Sequence, residues 1–158
     1  MKIALAAIGK FKSSEPEQRL ALDYLRRAEL QAKPLGISSI SLLEVEIKAK
    51  DNVKERESEA LLQNISPNSF LIVLDENGQD LKSRQLANLF EKQLNNGCKE
   101  IVFAIGGADG HSQSLKARAN FTLAFSKLTW PHKLIRAMAS EQIYRAMTIL
   151  TNSPYHRD

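Results

Sequence analysis

Phe70-Leu71-Ile72-Val73-Leu74 and Ile101-Val102-Phe103-Ala104-Ile105 are apolar at every position. A strand with one face in water alternates apolar and polar residues. A strand without that alternation is buried on both faces, as in a parallel sheet covered by helices on either side. Two such runs commit the chain to a layered α/β architecture with a mostly parallel sheet flanked by helices. The second run feeds directly into Gly106-Gly107-Ala108-Asp109-Gly110. There a buried strand opens into a loop nearly without side chains, where backbone N–H groups can approach a ligand closely.

The remaining elements follow from their punctuation. Lys2 to Ile8 reads as a first strand ending at Gly9. Ser14-Glu15-Pro16-Glu17 has the form of a capping box with proline in the first turn. It predicts a helix to Ala32 with Leu20, Tyr24 and Ala28 on one face, stopped by Pro34 and Gly36. Ile37 to Val45 is a second strand, Glu46 to Asn52 a polar loop, and a charged helix runs to about Asn64. After Ser66-Pro67-Asn68 comes the strand Phe70 to Leu74, and Asp75 to Gly78 turns the chain. Ser83 is expected to cap a helix ending near Asn96, with Gly97 as its stop signal. Ile101 to Ile105 precedes a short helix around Ser114 to Ala119, a short strand from Phe121 to Phe125, and a final helix from His132 to Leu150. No linker or internal repeat interrupts this series, so residues 1–158 are expected to form one domain.

The final helix carries Leu134, Ile135, Met138, Ile143, Ala146, Met147 and Leu150 as one broad stripe. Ala137, Ala139, Tyr144 and Ile149 extend it. A helix apolar over so much of its circumference needs cover on more than one side, and in a chain of 158 residues a second subunit is the natural cover. The one cysteine, Cys98, excludes an internal disulfide and fits the reducing cytoplasm. No signal peptide or membrane span is expected. The net charge of +4 permits nucleic-acid binding without requiring it. Basic residues bunch at Lys10 and Lys12, Arg26 and Arg27, Lys48 and Lys50, and Lys54 with Arg56.

Several chemistries lose support. His111, His132 and His156 are far apart in sequence and lack partners at metal-ligand spacing, so no metal is expected. There is no Walker lysine motif, no GxGxxG and no Gly-x-Ser-x-Gly. What remains is three turns at the carboxyl ends of strands: Leu74-Asp75 through Gly78, Gly106 through Gly110, and Ser126 through Pro131. Ligands of open α/β sheets bind at that edge. Leu74, Leu128 and Trp130 supply apolar walls suited to an adenine-bearing ligand.

The residues Leu74-Asp75 with Gly78 and Ser83, Ile105-Gly106-Gly107 with Gly110, and Phe125-Ser126-Lys127-Leu128-Thr129 with Pro131-His132 form a specific set. Arg136, Glu141-Gln142, Tyr144-Arg145-Ala146 and Pro154-Tyr155-His156-Arg157 complete it. With them the whole chain resembles the bacterial RlmH family of 23S rRNA (pseudouridine-N3)-methyltransferases, small enzymes of the SPOUT class. The resemblance implies a C-terminal deep trefoil knot, an exception to the rule that chains are unknotted. It implies a homodimer built on the final helix, and S-adenosylmethionine held by Leu74, Gly106, Phe125, Ser126, Lys127, Leu128, Thr129 and Trp130. It also implies methylation of N3 of a pseudouridine in helix 69 of 23S rRNA on the assembled ribosome. Within that frame His156 is the candidate proton acceptor, Tyr155 the group that stacks on or bonds to the base, and Arg157 a phosphate contact. Glu141 and Arg145 lie one helical turn apart and are expected to pair with each other. Two other readings are a non-catalytic SPOUT-fold protein that binds RNA or the ribosome, and a SPOUT methyltransferase acting on another RNA base.

Overall fold

The computed structural model describes residues 1–157; Asp158 lies outside the described residues. Five strands, β1 (Lys2–Ile8), β2 (Ser39–Val45), β3 (Phe70–Asp80), β4 (Glu100–Ile105) and β5 (Phe121–Ala124), form one sheet in the order β2-β1-β4-β3-β5. Every neighbouring pair is parallel, so each connection must cross a face of the sheet. Helices α1 (Pro16–Ala32), α3 (Ser83–Asn95) and α5 (His132–Leu150) cover one face. There Ile3, Leu5, Ile72, Ile101, Phe103 and Leu123 meet Leu25, Leu86, Phe90, Ile143 and Met147. Helices α2 (Val53–Asn64) and α4 (Gln113–Arg118) cover the other, where Ala6, Ile8, Leu71, Val73, Val102 and Ala104 meet Leu61 and Leu115. Alternate residues of one apolar run thus serve opposite layers, which is why the runs lack polar members.

The structure departs from the sequence expectations at several places. The buried stripe of α1 is Ala21, Leu25, Ala28 and Ala32, whereas Leu20 is exposed. No capping box forms before α1: Glu15 is the cap residue and makes no side-chain cap bond. Its carboxylate instead accepts from the Lys12 N–H at 2.8 Å and pairs with Lys133 at the start of α5. At α3 the cap is Lys82, with Ser83 the first helical residue; the Lys82 N–H donates to Gln85 Oε1 at 2.8 Å. Finally, β3 does not end in a turn at Asp75–Gly78 but continues to Asp80. Leu74 and Gln79 both pair with Leu123, and the residues between them bulge out of the ladder. Gly78 makes this possible, because a Cβ there would lie 2.6 Å from the Leu123 carbonyl carbon.

Helix α5 has the predicted bounds, but its burial follows a different logic from apolarity. Ile143, Ala146 and Met147 are buried within the protomer, together with Arg136, Ser140 and Thr148. Leu134, Ile135, Met138 and Leu150 remain half-buried. Arg136 is wholly buried because its guanidinium donates to the Gly9 carbonyl at 3.0 Å and to the Ile8 carbonyl, faces Glu44 at 3.6 Å and lies over the Phe11 ring at 4.9 Å. A buried charge of this kind is tolerated only when so paired. It ties the carboxyl end of β1 to the first turn of α5.

Candidate cofactor cleft

The carboxyl ends of β3, β4 and β5 converge on a cleft of about 710 Å³. Leu74, Asp75, Glu76 and Asn77 form one wall, Gly106 through His111 the second, and Phe125, Ser126 and Leu128 through His132 the third. The three segments singled out in the sequence therefore meet in space, the first as a bulge within β3 and the other two as loops after β4 and β5. Seven of the eight expected cofactor positions, Leu74, Gly106, Phe125, Ser126, Leu128, Thr129 and Trp130, line this cleft. Lys127 does not: it lines the groove on the α1 and α3 side, and its Nζ donates to the Glu76 carbonyl at 3.4 Å.

Local bonds hold each wall. Trp130 Nε1 donates to the Phe125 carbonyl at 3.2 Å, curling the third loop on itself. Ser126 sits at φ 113°, a region that side-chain-bearing residues rarely adopt, and its Oγ accepts from the Leu128 N–H at 3.0 Å. A backbone outlier of this kind marks a site under constraint. Thr129 Oγ1 reaches Glu76 at 3.4 Å, joining the third wall to the first. In the glycine loop, the Gly110 N–H donates to the Gly107 carbonyl at 3.2 Å. A Cβ on Gly106 would lie 2.8 Å from the Gly110 oxygen and 3.2 Å from His111 Cε1.

The cleft is acidic along one side. Burial opposes ionisation of Asp75, but Lys116 at 2.6 Å and the Asn77 N–H outweigh it and hold the carboxyl below its ordinary range. Glu57 of α2 presses on the back of Gly107; burial and then Asp109 push its carboxyl up, against the Gly107 N–H. His111 is buried, and burial lowers its affinity for a proton although Asp75 and the Leu74 carbonyl pull the other way. Glu57, Glu76 and His111 were not picked out from sequence. Only the isolation of His111 just after a glycine loop hinted that its side chain turns inward.

The tail lies elsewhere. The Tyr155 hydroxyl donates to Glu141 Oε1 at 3.0 Å, its ring packs on Tyr144 at 4.6 Å, and the Arg145 guanidinium lies over it at 4.8 Å. Burial, then Tyr24 and Glu141, push the Tyr155 hydroxyl well above its ordinary range. Arg145 Nε donates to Glu141 at 3.0 Å, the expected pair, and Arg145 Nη1 is 3.3 Å from His156 Nδ1. Tyr155 and His156 are thus brought together on α5, and Arg157 is exposed beside them. Glu141 and Arg145 are six and ten residues beyond Ile135, which also lines the cleft, so this cluster sits roughly 9–15 Å along the helix from the cleft of its own protomer.

Among the described residues there is no group of three or more His, Cys, Asp or Glu side chains placed to hold a metal ion, and no helix is long and apolar enough to cross a membrane.

The model of the family described as "Predicted SPOUT methyltransferase" matches residues 1–156. Over 157 residues the chain is 43% identical to the Ribosomal RNA large subunit methyltransferase H of Cereibacter sphaeroides, with 99% of each chain covered. The protein of that name from Caulobacter vibrioides is 44% identical over 158 residues, covering 100% of this chain and 99% of the relative. A crystal structure of a probable methyltransferase from Bordetella pertussis superposes with a TM-score of 0.52 at 13% identity, over 92% of this chain and 95% of that one. That last likeness is one of fold.

Proposed function

The chain belongs to the SPOUT methyltransferase family, and from that premise we propose that it methylates N3 of a pseudouridine in helix 69 of 23S rRNA on the assembled ribosome, in the cytoplasm. It is a methyltransferase by family, and enzymes of the family use S-adenosylmethionine. The observation that carries the reading is the cleft itself: three loops from three adjacent parallel strands, in a chain whose relatives at over 40% identity are named for methylating large-subunit rRNA. The same reading carries a C-terminal trefoil knot as part of the proposal.

The cleft suits the cofactor by its chemistry. Leu74, Leu123, Trp130 and Ile135 offer apolar surface to a flat purine, while the bare backbone from Gly106 to Gly110 allows close approach. Asp75 and Glu76 place carboxylates where a cationic ligand benefits from them. The bound group supplies an electrophilic methyl on a sulfonium. The protein's part is to exclude water, hold the nucleotide in line and accept the imide proton. Alignment contributes of order 7–11 kcal/mol in the best cases.

His156 is the proposed acceptor, with Tyr155 against the base and Arg157 near phosphate. An imidazole that accepts from Arg145 at Nδ1 carries its own proton at Nε2 when neutral. Proton uptake at Nδ1 therefore requires release from Arg145. The distance along α5 supports a two-fold arrangement in which one protomer's tail serves its partner's cleft. The face available for that dimer is a groove of about 680 Å³ beside α5, lined by Leu20, Leu81, Leu134 and Met138.

The reading is tested by incubating ribosomes from a strain lacking the enzyme with the protein and S-adenosylmethionine. Mass spectrometry of 23S rRNA should show one added methyl on a helix 69 pseudouridine. No methyl gain on ribosomes, or a gain on another base, rejects the proposed substrate.

A further inference from the structure

The His111 ring lies between two cofactor walls and is 5% exposed. Nε2 is 3.1 Å from the Leu74 carbonyl, at the end of the first wall. Cε1 packs so closely under Gly106 that a methyl there would come within 3.2 Å of it. The ring is anchored from behind, because the Ser112 N–H donates to Ser58 Oγ of α2 at 2.8 Å and Ser112 caps α4. In the tautomer protonated at Nε2, the imidazole donates to the Leu74 carbonyl, while the buried Nδ1 has no hydrogen-bond partner. The bond to Leu74 joins the start of the β3 bulge to the loop that follows β4, and the gap between those two walls is the slot for the flat part of a ligand.

We propose that His111 is a positioning residue for cofactor binding: through Nε2–H and the Leu74 carbonyl it fixes the separation of the β3 and β4 walls of the cleft. The inference rests on the reading of this cleft as the S-adenosylmethionine site. His111 makes no contact with the reacting atoms. It acts on affinity through the Leu74 backbone, so loosening it raises the cofactor's Kd and KM without lowering the rate once the site is full.

The test compares wild type, His111→Phe and His111→Gln by calorimetric titration with S-adenosylmethionine, by steady-state methylation of ribosomes, and by thermal unfolding without ligand. Phenylalanine keeps the ring volume and removes the donor. It should raise Kd roughly 5- to 30-fold, the value of one hydrogen bond plus a carbonyl left unpaired, with kcat within about threefold. Glutamine, which retains an N–H donor, should recover most of the affinity. Unchanged Kd in His111→Phe overturns the proposal, as does loss of affinity in both variants in proportion to loss of melting temperature. Should His111→Phe not fold, nitrogen NMR of the wild type decides. An Nε2-protonated neutral ring whose Nε2–H resonance moves on saturation with S-adenosylmethionine supports the role, and a resonance that stays fixed overturns it. Absence of binding by the wild type removes the cofactor reading and this role with it; binding by the wild type that His111→Phe matches removes the role alone.

Discussion

At the scale of single residues, the cleft depends on two close approaches. Gly78→Ala places a methyl 2.6 Å from the Leu123 backbone. Neither strand can yield without opening the β3–β5 ladder, so the variant should lose roughly 1–3 kcal/mol of stability, read as a lower denaturant midpoint. A midpoint equal to wild type would mean that the bulge relaxes freely. His111 adds a pH dependence. Its folded-state pKa is depressed by burial, so the unfolded chain binds the extra proton first. Both states are neutral above the ordinary histidine value of about 6.5, and stability should fall as pH drops below it. The His132 pKa is shifted the same way, by burial first and then Arg136 and Lys133, and Glu57 the opposite way. The difference between wild type and His111→Gln isolates the His111 contribution: the two stability curves should converge as pH falls from 7 to 5. Parallel curves would show that His111 does not titrate with folding. The glycines of the cleft were legible in sequence because a backbone requirement leaves only one residue type. Glu57 and His111 were not, because their roles depend on what α2 and β3 bring beside them.

At the scale of elements, α5 shows where periodicity succeeds and where it fails. Its bounds from His132 to Leu150 were readable, as was the burial of Ile143, Ala146 and Met147, but that of Arg136, Ser140 and Thr148 was not. Arg136 is interior because the Ile8 and Gly9 carbonyls, far away in sequence, accept its protons; apolarity alone placed Leu134 and Met138 there instead. The short strand β5 was readable at Phe121, but the bulge of β3 was hidden, since no local pattern announces that Leu123 pairs twice. Met138 lies half-buried on the groove, so Met138→Glu sets a charge against the proposed subunit contact. Light scattering should then report half the wild-type mass, with circular dichroism unchanged; an unchanged mass would place the contact elsewhere. The tail is the other separable element. Deleting residues 155–158 should leave S-adenosylmethionine affinity within a few-fold and abolish ribosome methylation. His156→Ala should lower the rate about 10²–10⁴-fold. Wild-type methylation by the truncated protein would relegate the tail to packing on α5.

At the scale of the whole molecule, the sheet order sets when things happen. β4 is the central strand, and its neighbour β1 comes from the opposite end of the chain, with Lys2 paired to Glu100. β5 must then reach both arms of the β3 bulge before the third cleft wall has anything to stand on. The cleft needs β3, β4 and β5 all in place, so its completion is expected as a closing event of folding. A ligand that needs all three walls has nothing to grip in the transition state that precedes them. S-adenosylmethionine at a hundredfold excess over its Kd should add about 2.7 kcal/mol of stability, and that gain should appear as slower unfolding with an unchanged refolding rate. Faster refolding in the presence of ligand would show that the walls meet early. By this order of assembly the cofactor acts as a kinetic clamp on the finished protein and gives no help in making it.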